Sequence, residues 1–351
     1  MPSNPLPLNS CRSGGCTLTG ALSVTTSVRD SVSVIHGPAG CAHHNFSLLH
    51  ATGLDNDHVA ALNLISSGMQ DMEVIFGGED ALGAAIRSAI RQDVSVVYVL
   101  STCIVETIGD DVAAVCGRDW GVPVVRVPTA GFLGGSFQTG VSNALTAIAG
   151  TMPGRVLPKD PHIVNIIGEK NLEYEVEENY REVARLLALL GLTINVRFVH
   201  CTGINELAGL GEASLNILRD DEMQPVGDLL YRKYRIPSIP SFPVGLSGSL
   251  DFLKVTGDLA GIDPAPAISD EKDRQDSLLD GFSGTAGSML RFSLTAPDLP
   301  ANRAISEVIA RLDLKVGKDG ARVPMPPSPP VGTEGVRRML HRWRRALNAG
   351  M

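Results

Sequence analysis

The chain has 351 residues, 44% of them hydrophobic, and a net charge of -8 at pH 7. That length allows two or three domains, each with its own core, and the apolar content with a mean hydropathy of +0.11 excludes a disordered chain. The acidic balance, with a pI near 5.5, and only 5% aromatic residues speak against a nucleic-acid partner, which asks for a basic face and stacking rings.

The first ten residues, MPSNPLPLNS, have neither the charged start nor the apolar stretch of a secretory signal, and no run approaches the roughly 18 apolar residues of a membrane span. A cytoplasmic protein with no membrane contact is expected. In that compartment the six cysteines are expected free, metal-bound or catalytic, not disulfide-paired.

Apolar runs alternate with amphipathic stretches, which predicts an α/β fold of parallel sheets flanked by helices. SVSVIHG (31–37), EVIFGG (73–78), VSVVYVLST (94–102) and PVVRVPT (123–129) read as buried strands. Leu82, Ala85, Ile86, Ala89 and Ile90 share one helical face. These elements form a first domain, 1–153, closed by the Pro- and Gly-rich stretch AGTMPGRVLPKDPH. A second domain, 154–262, opens with HIVNIIG, continues through a helix striped by Leu172, Val176, Tyr180, Val183, Leu187 and Leu190, and returns as LTINVRFV. The third, 263–351, is short: LRFSLT, the helix ANRAISEVIARL, LDLKVG and a terminal helix. PVGLSGSLDFL (243–253) and PVGTEGVRRML (330–340) echo one another, each a loop feeding a helix.

Chemistry concentrates in HGPAGCAHHN (36–45). Cys41 lies just beyond one strand and Cys103 just beyond another, and open parallel sheets bind ligands outside the carboxyl ends of their strands. Cys16, in GGCTLTG, adds a third thiol from a glycine-rich segment. No CxxC and no HExxH occurs, so the spacing fits no zinc template. Thiolates converging from distant loops suit an iron–sulfur cluster; three buried core thiols are the alternative.

GGCTLTGA, HGPAGC, VIFGGEDAL and STCIVETIGDD, in this order, resemble the component 1 subunits of nitrogenase and nitrogenase-like enzymes. The likeness continues through IVNIIGEKN and KYRIPSIPSFPVGLSGSLDFL, covering about residues 10 to 260. It implies repeated Rossmann-like domains, the third abbreviated, and an iron–sulfur cluster, most simply of the 4Fe-4S type, on Cys16, Cys41 and Cys103. Cys11 or a partner subunit would supply the fourth ligand, and the cluster would sit where two subunits of a homodimer meet. Cys116 and Cys201, in apolar runs, are expected in the core.

Where nitrogenase catalytic subunits place a cysteine on their cofactor, SLNILRDDE puts Asp220, which speaks against dinitrogen reduction. Among family members the short chain is most similar to component 1 of nickel-sirohydrochlorin a,c-diamide reductive cyclase. This likeness implies a nickel tetrapyrrole substrate, a role in making the cofactor of methyl-coenzyme M reductase for methanogenesis, and electrons from a separate ATP-dependent 4Fe-4S reductase. A phosphate loop GxxxxGK[ST] is missing here, so ATP would bind that partner. Protochlorophyllide- or chlorophyllide-type reductase subunits, and a non-catalytic scaffold for cluster or cofactor assembly, are the alternatives.

His43 and His44 are candidate proton donors, being two and three residues past Cys41; hydrogen bonding to the loop or exposure to solvent is the other reading. His36, at a strand end, is expected to be structural, and Asp110 and Asp111 to cap a helix. Arg337, Arg338, Arg342, Arg344 and Arg345 crowd one side of the terminal helix, either as a solvated face or to steer an acidic substrate or partner.

Overall fold

The computed structural model describes residues 15–55, 62–152, 157–285, 287–291, 300–326 and 328–349, so Cys11 and residues 292–295 of LRFSLT lie outside the described residues. Strands β1 (Ser31–His36), β2 (Leu64–Ser66), β3 (Val96–Ser101) and β4 (Val124–Val127) form a parallel sheet in the order β2-β1-β3-β4. A second sheet has the order β6-β5-β7-β8, from β5 (Asp160–Ile167), β6 (Thr193–Phe198), β7 (Ala213–Leu218) and β8 (Ser238–Ile239). The third, β10-β9-β11, is built from β9 (Met289–Arg291), β10 (Lys315–Val316) and β11 (Ala321–Arg322). Each sheet falls inside one of the ranges 1–153, 154–262 and 263–351.

Two compact units divide these elements: Arg12–Glu173 with Ile194–Pro240, which holds the first two sheets save the first residue of β6, and a smaller one containing Tyr174–Thr193 and Ser241–Met351. Helices Val176–Leu189 and Gly245–Ala260 of the middle range therefore belong to the smaller unit.

In the larger unit β1 and β3 are buried at every position, as expected of Val- and Ile-rich strands covered on both faces. The serines of SVSV are tolerated there because each hydroxyl is satisfied. Ser31 donates to the carbonyls of Thr25 and Val28, and Ser33 donates to the Thr25 hydroxyl. Helix Thr17–Thr25 crosses helix Phe137–Thr151 through a reciprocal pair of glycines: a Cβ on Gly20 would lie 1.9 Å from the Phe137 carbonyl oxygen, and one on Gly140 1.9 Å from that of Thr17. Only glycine allows this approach. It fixes the start of the first helix, where Cys16 is the N-cap residue.

One strand expectation fails. EVIFGG is not a strand; Asp71–Phe76 is a helix with no buried residue, its Met72, Ile75 and Phe76 all exposed. A capping box decides the local choice, Gln70 and Glu73 each satisfying the other's backbone amide. The second strand is instead the three-residue β2, whose LIS run is too short to stand out.

In the smaller unit Leu246, Leu279, Phe282, Leu290, Ile305, Val336 and Trp343 form one core. The two Pro-Val-Gly segments pair with each other. Val244 and Val331 make an antiparallel bridge, Gly245 N donates to Pro330 O at 2.9 Å, and Gly332 N donates to Pro243 O at 3.0 Å. Each then opens a helix, Gly245–Ala260 or Gly332–Ala349. Among the arginines of the terminal helix, Arg338 and Arg342 both reach Glu175, Arg337 reaches Glu334, and Arg344 lies over the Phe282 ring at 4.5 Å. Four of the five are thus engaged inside their own unit.

Candidate metal centre

β1 and β3 are adjacent central strands, so the loops leaving their carboxyl ends leave side by side. After β1 the chain turns through Gly37 (φ +152) and Pro38 into helix Ala39–Asp55, whose first turn carries Cys41. Gly37 cannot be larger: a Cβ there would meet the Thr102 hydroxyl at 2.1 Å, so the two loops touch at the residue before Cys103. After β3, Thr102 leads directly into helix Cys103–Ile108. Cys16 occupies the N-cap position of helix Thr17–Thr25, with its sulfur 3.6 Å from the Thr19 hydroxyl.

Cys16 and Cys103 both lie near enough to Cys41 to act on its charge. Burial pushes the Cys41 thiol up, and the neighbouring Cys16 and Cys103 push it further. Cys41 and Cys103 are half-buried and Cys16 is exposed, so this is not a set of core thiols. A fourth segment closes over Cys103: the turn Gly131–Leu133 aims the Phe132 amide at its sulfur, 3.4 Å away, while the Phe132 ring is 89% exposed. Gly135 in the same segment packs against Thr17, where a Cβ would lie 2.4 Å from the hydroxyl. Phe132 was not foreseen, although the glycine-rich run GFLGG marks a backbone able to come close to another group.

The donor set fits an iron–sulfur cluster: three sulfurs from three loops, one already accepting a backbone N–H, on a partly open surface. Unpartnered buried hydroxyls of Thr17 and Thr102 adjoin two of these cysteines. Among the described residues no three His, Cys, Asp or Glu side chains close round a single metal ion.

His43 and His44 lie exposed on the Cys41 helix. His36 is structural, as expected: it is fully buried, with Nδ1 3.0 Å from the Ser67 hydroxyl and Nε2 3.1 Å from Asp110. Asp111 caps helix Val112–Cys116 by accepting from the Ala114 amide. Asp110 does not cap it; burial against His36 and the Gly78 amide claims its carboxylate. Cys116 is half-buried against the core of the first sheet, and burial holds its thiol up at about 11. Cys201 is not in the core: it is exposed, with φ +49, in the turn after β6.

At the carboxyl ends of β5 and β7 a second polar cluster gathers. Arg219 pairs with buried Glu173 at 2.7 Å, Arg197 with Glu169 at 2.7 Å, and Lys170 with Asp220 at 2.5 Å. Burial works against the Lys170 charge, but Asp220 and Glu173 outweigh it and hold the ammonium above its ordinary range. Asp220 is committed to this ion pair and to the Glu222 amide.

The sequence matches the family model for nitrogenase component 1 type oxidoreductases over residues 16–288. It is 29% identical over 251 residues to the nitrogenase iron-molybdenum cofactor biosynthesis protein NifE of Clostridium pasteurianum, covering 70% of this chain and 54% of that one. With the nitrogenase molybdenum-iron protein alpha chain of the same organism it shares 26% identity, covering 68% and 46% of the two chains. The chain thus spans about half the length of the curated relatives it matches. A solved structure of nitrogenase Cp1 at pH 5 superposes with a TM-score of 0.66 at 21% identity, over 90% of this chain and 65% of that chain, a likeness of fold. Among the described residues no helix is long and apolar enough to cross a membrane. With its parallel α/β sheets and the family match over most of its length, the chain belongs to the nitrogenase component 1 type oxidoreductases.

Proposed function

We propose that this protein is the electron-receiving component of a two-component reductase, and that Cys16, Cys41 and Cys103 hold its iron–sulfur cluster. The observation that carries this reading is the close approach of the segments bearing the three thiols. Gly37, before the Cys41 helix, touches Thr102, before Cys103, and Gly135, in the segment whose Phe132 amide reaches the Cys103 sulfur, packs against Thr17, next to Cys16. A bound cluster would take up and release single electrons. The thiols must lose their protons to bind iron, and the Phe132 amide supports the charge left on the Cys103 sulfur. The fourth ligand is Cys11 or comes from a partner subunit.

The partner that delivers electrons is an ATP-hydrolysing iron–sulfur reductase, a reading supported by the family match; ATP would bind there, since this sequence carries no phosphate loop. The substrate is nickel-sirohydrochlorin a,c-diamide, reduced on the way to the nickel cofactor of methyl-coenzyme M reductase. His43 and His44, exposed beside Cys41, are the candidate proton donors. A homodimer is favoured by the exposed apolar side chains Met72, Ile75, Phe76 and Phe132, which a second copy would cover.

The test is anaerobic turnover. Protein loaded with iron and sulfide, given the reductase, ATP and the nickel substrate, should produce more than one equivalent of reduced product per chain, and neither component should do so alone. A second reading, a scaffold for cofactor assembly, is favoured by the similarity to NifE. Stoichiometric binding and release of a cluster or tetrapyrrole without turnover would support the scaffold and defeat the reductase.

A further inference from the structure

Three loops leave the carboxyl ends of β1, β2 and β3, and one buried side chain joins all of them. His36, the last residue of β1, is fully buried and reaches both ways across the sheet. Its Nδ1 lies 3.0 Å from Ser67 Oγ, just after β2, and its Nε2 lies 3.1 Å from Asp110 Oδ2, just after the Cys103 helix. Asp110 Oδ2 also accepts from the Gly78 amide at 3.0 Å, and Ser67 Oγ accepts from the Gly37 amide at 3.0 Å. With the ring neutral, as its burial favours, Nε2–H donates to the carboxylate and Nδ1 accepts from the serine hydroxyl. The other acceptor open to that hydroxyl, the Gly37 carbonyl, is farther at 3.5 Å, and the same hydroxyl oxygen takes the Gly37 N–H.

The knot is tightly packed. A Cβ on Gly78 would lie 2.8 Å from Asp110 Oδ2 and 2.9 Å from His36 Cε1, so the second glycine of FGGED has no room for a side chain. Gly37 is the link to the cysteines, since it leads into the Cys41 helix and touches Thr102, the neighbour of Cys103. We propose that His36 and Asp110 are positioning residues that hold the Cys41 loop and the Cys103 loop in register, so that the thiols present themselves as a set; this rests on the reading that those cysteines bind iron. Neither side chain touches the thiols. They act through the backbone, as groups behind metal ligands do.

The test compares Asp110→Ala with Asp110→Asn, whose amide oxygen in place of Oδ2 still accepts from His36 and Gly78. Val99→Ala, in the buried core of the same sheet, is the control for general loss of stability. The first readout is iron-free: dibromobimane, which bridges two neighbouring thiols, is used on wild type and variants, with the Cys41–Cys103 product measured by mass spectrometry. The second is iron and acid-labile sulfide bound per chain after anaerobic reconstitution, titrated with ferrous iron. Asp110→Ala should lose bridging and weaken iron retention about tenfold or more, while Asp110→Asn and Val99→Ala stay near wild type. If Asp110→Ala does not fold, Gly78→Ala takes its place, because it displaces the pair without removing any polar group. Unchanged bridging and iron binding in the folded variant would overturn the proposal, as would equal losses in Val99→Ala. Bridging that responds as expected in a wild-type protein that never binds iron would support the positioning role and reject the cluster reading instead.

Discussion

The amide of Phe132 donates to the sulfur of Cys103 across 3.4 Å, from a turn whose aromatic side chain is 89% exposed. Backbone and side chain thus point to different tasks. Hydrogen bonds to cluster sulfurs stabilise the more negative, reduced state and raise the reduction potential. Phe132→Pro, which removes the N–H, should lower the midpoint potential of the reconstituted cluster, and Phe132→Ala should leave it in place. A redox titration followed by visible or electron paramagnetic resonance spectra decides; equal potentials in both variants would remove the amide from the account.

Each of Cys16→Ala, Cys41→Ala and Cys103→Ala should lose most of the iron and sulfide while keeping the wild-type circular dichroism spectrum. Cys16 is exposed and the other two half-buried, so each change should cost stability on the order of 1 kcal/mol or less. Cys116→Ala and Cys201→Ala should keep the cluster. Full iron content in Cys41→Ala would reject the site.

Much of this site is legible in the sequence because strand ends are. SVSVIHG and VSVVYVLST are long Val-rich runs, and each is followed within a few residues by a thiol, so Cys41 and Cys103 fall at one sheet edge by topology alone. Short apolar runs carry no such certainty. EVIFGG has the composition of a strand, but the overlapping QDME run fixes a helix start, a signal weaker to the eye than five apolar or glycine residues in a row. The His36–Asp110 contact spans 74 residues and is invisible to any local pattern. Cys201 shows the converse error, since an apolar neighbourhood in sequence ends at an exposed turn.

The exposed apolar residues predict an oligomer. Phe76, at 76% exposure, ends a helix with no buried residue. Phe76→Glu should convert a wild-type dimer into a monomer in anaerobic sedimentation, because a charge placed in a covered apolar contact loses its solvation. A wild-type monomer with an intact cluster would sink the homodimer.

Alkaline stability should report on Cys116. Burial, opposed by the Arg126 charge, raises its thiol from an ordinary 9.0 to about 11. A group raised on folding contributes stability that is whole below its unfolded value and lost as pH climbs through the folded one. Wild type should therefore lose more stability than Cys116→Ala between about pH 9 and pH 11, measured by denaturant unfolding of the iron-free protein. Parallel curves over that range would show the thiol free to ionise in the fold.

The paired Pro-Val-Gly loops make a prediction for the smaller unit. Gly332 has φ +60, and a Cβ there would meet the Glu182 side chain at 2.4 Å. Glu182 cannot give way freely: it is buried, and Arg185 grips both of its oxygens while also reaching buried Glu271. Gly332→Ala combines left-handed backbone strain of roughly 1–2 kcal/mol with overpacking of roughly 1–3 kcal/mol. The contrast is Gly150→Ala, near the end of helix Phe137–Thr151, where an added Cβ has nothing within 4 Å. That change should be neutral or stabilise by up to about 1 kcal/mol. Denaturant unfolding should separate the two by sign, and iron binding in the larger unit should survive in both. Equal stabilities would mean that Glu182 moves aside and the turn tolerates a side chain.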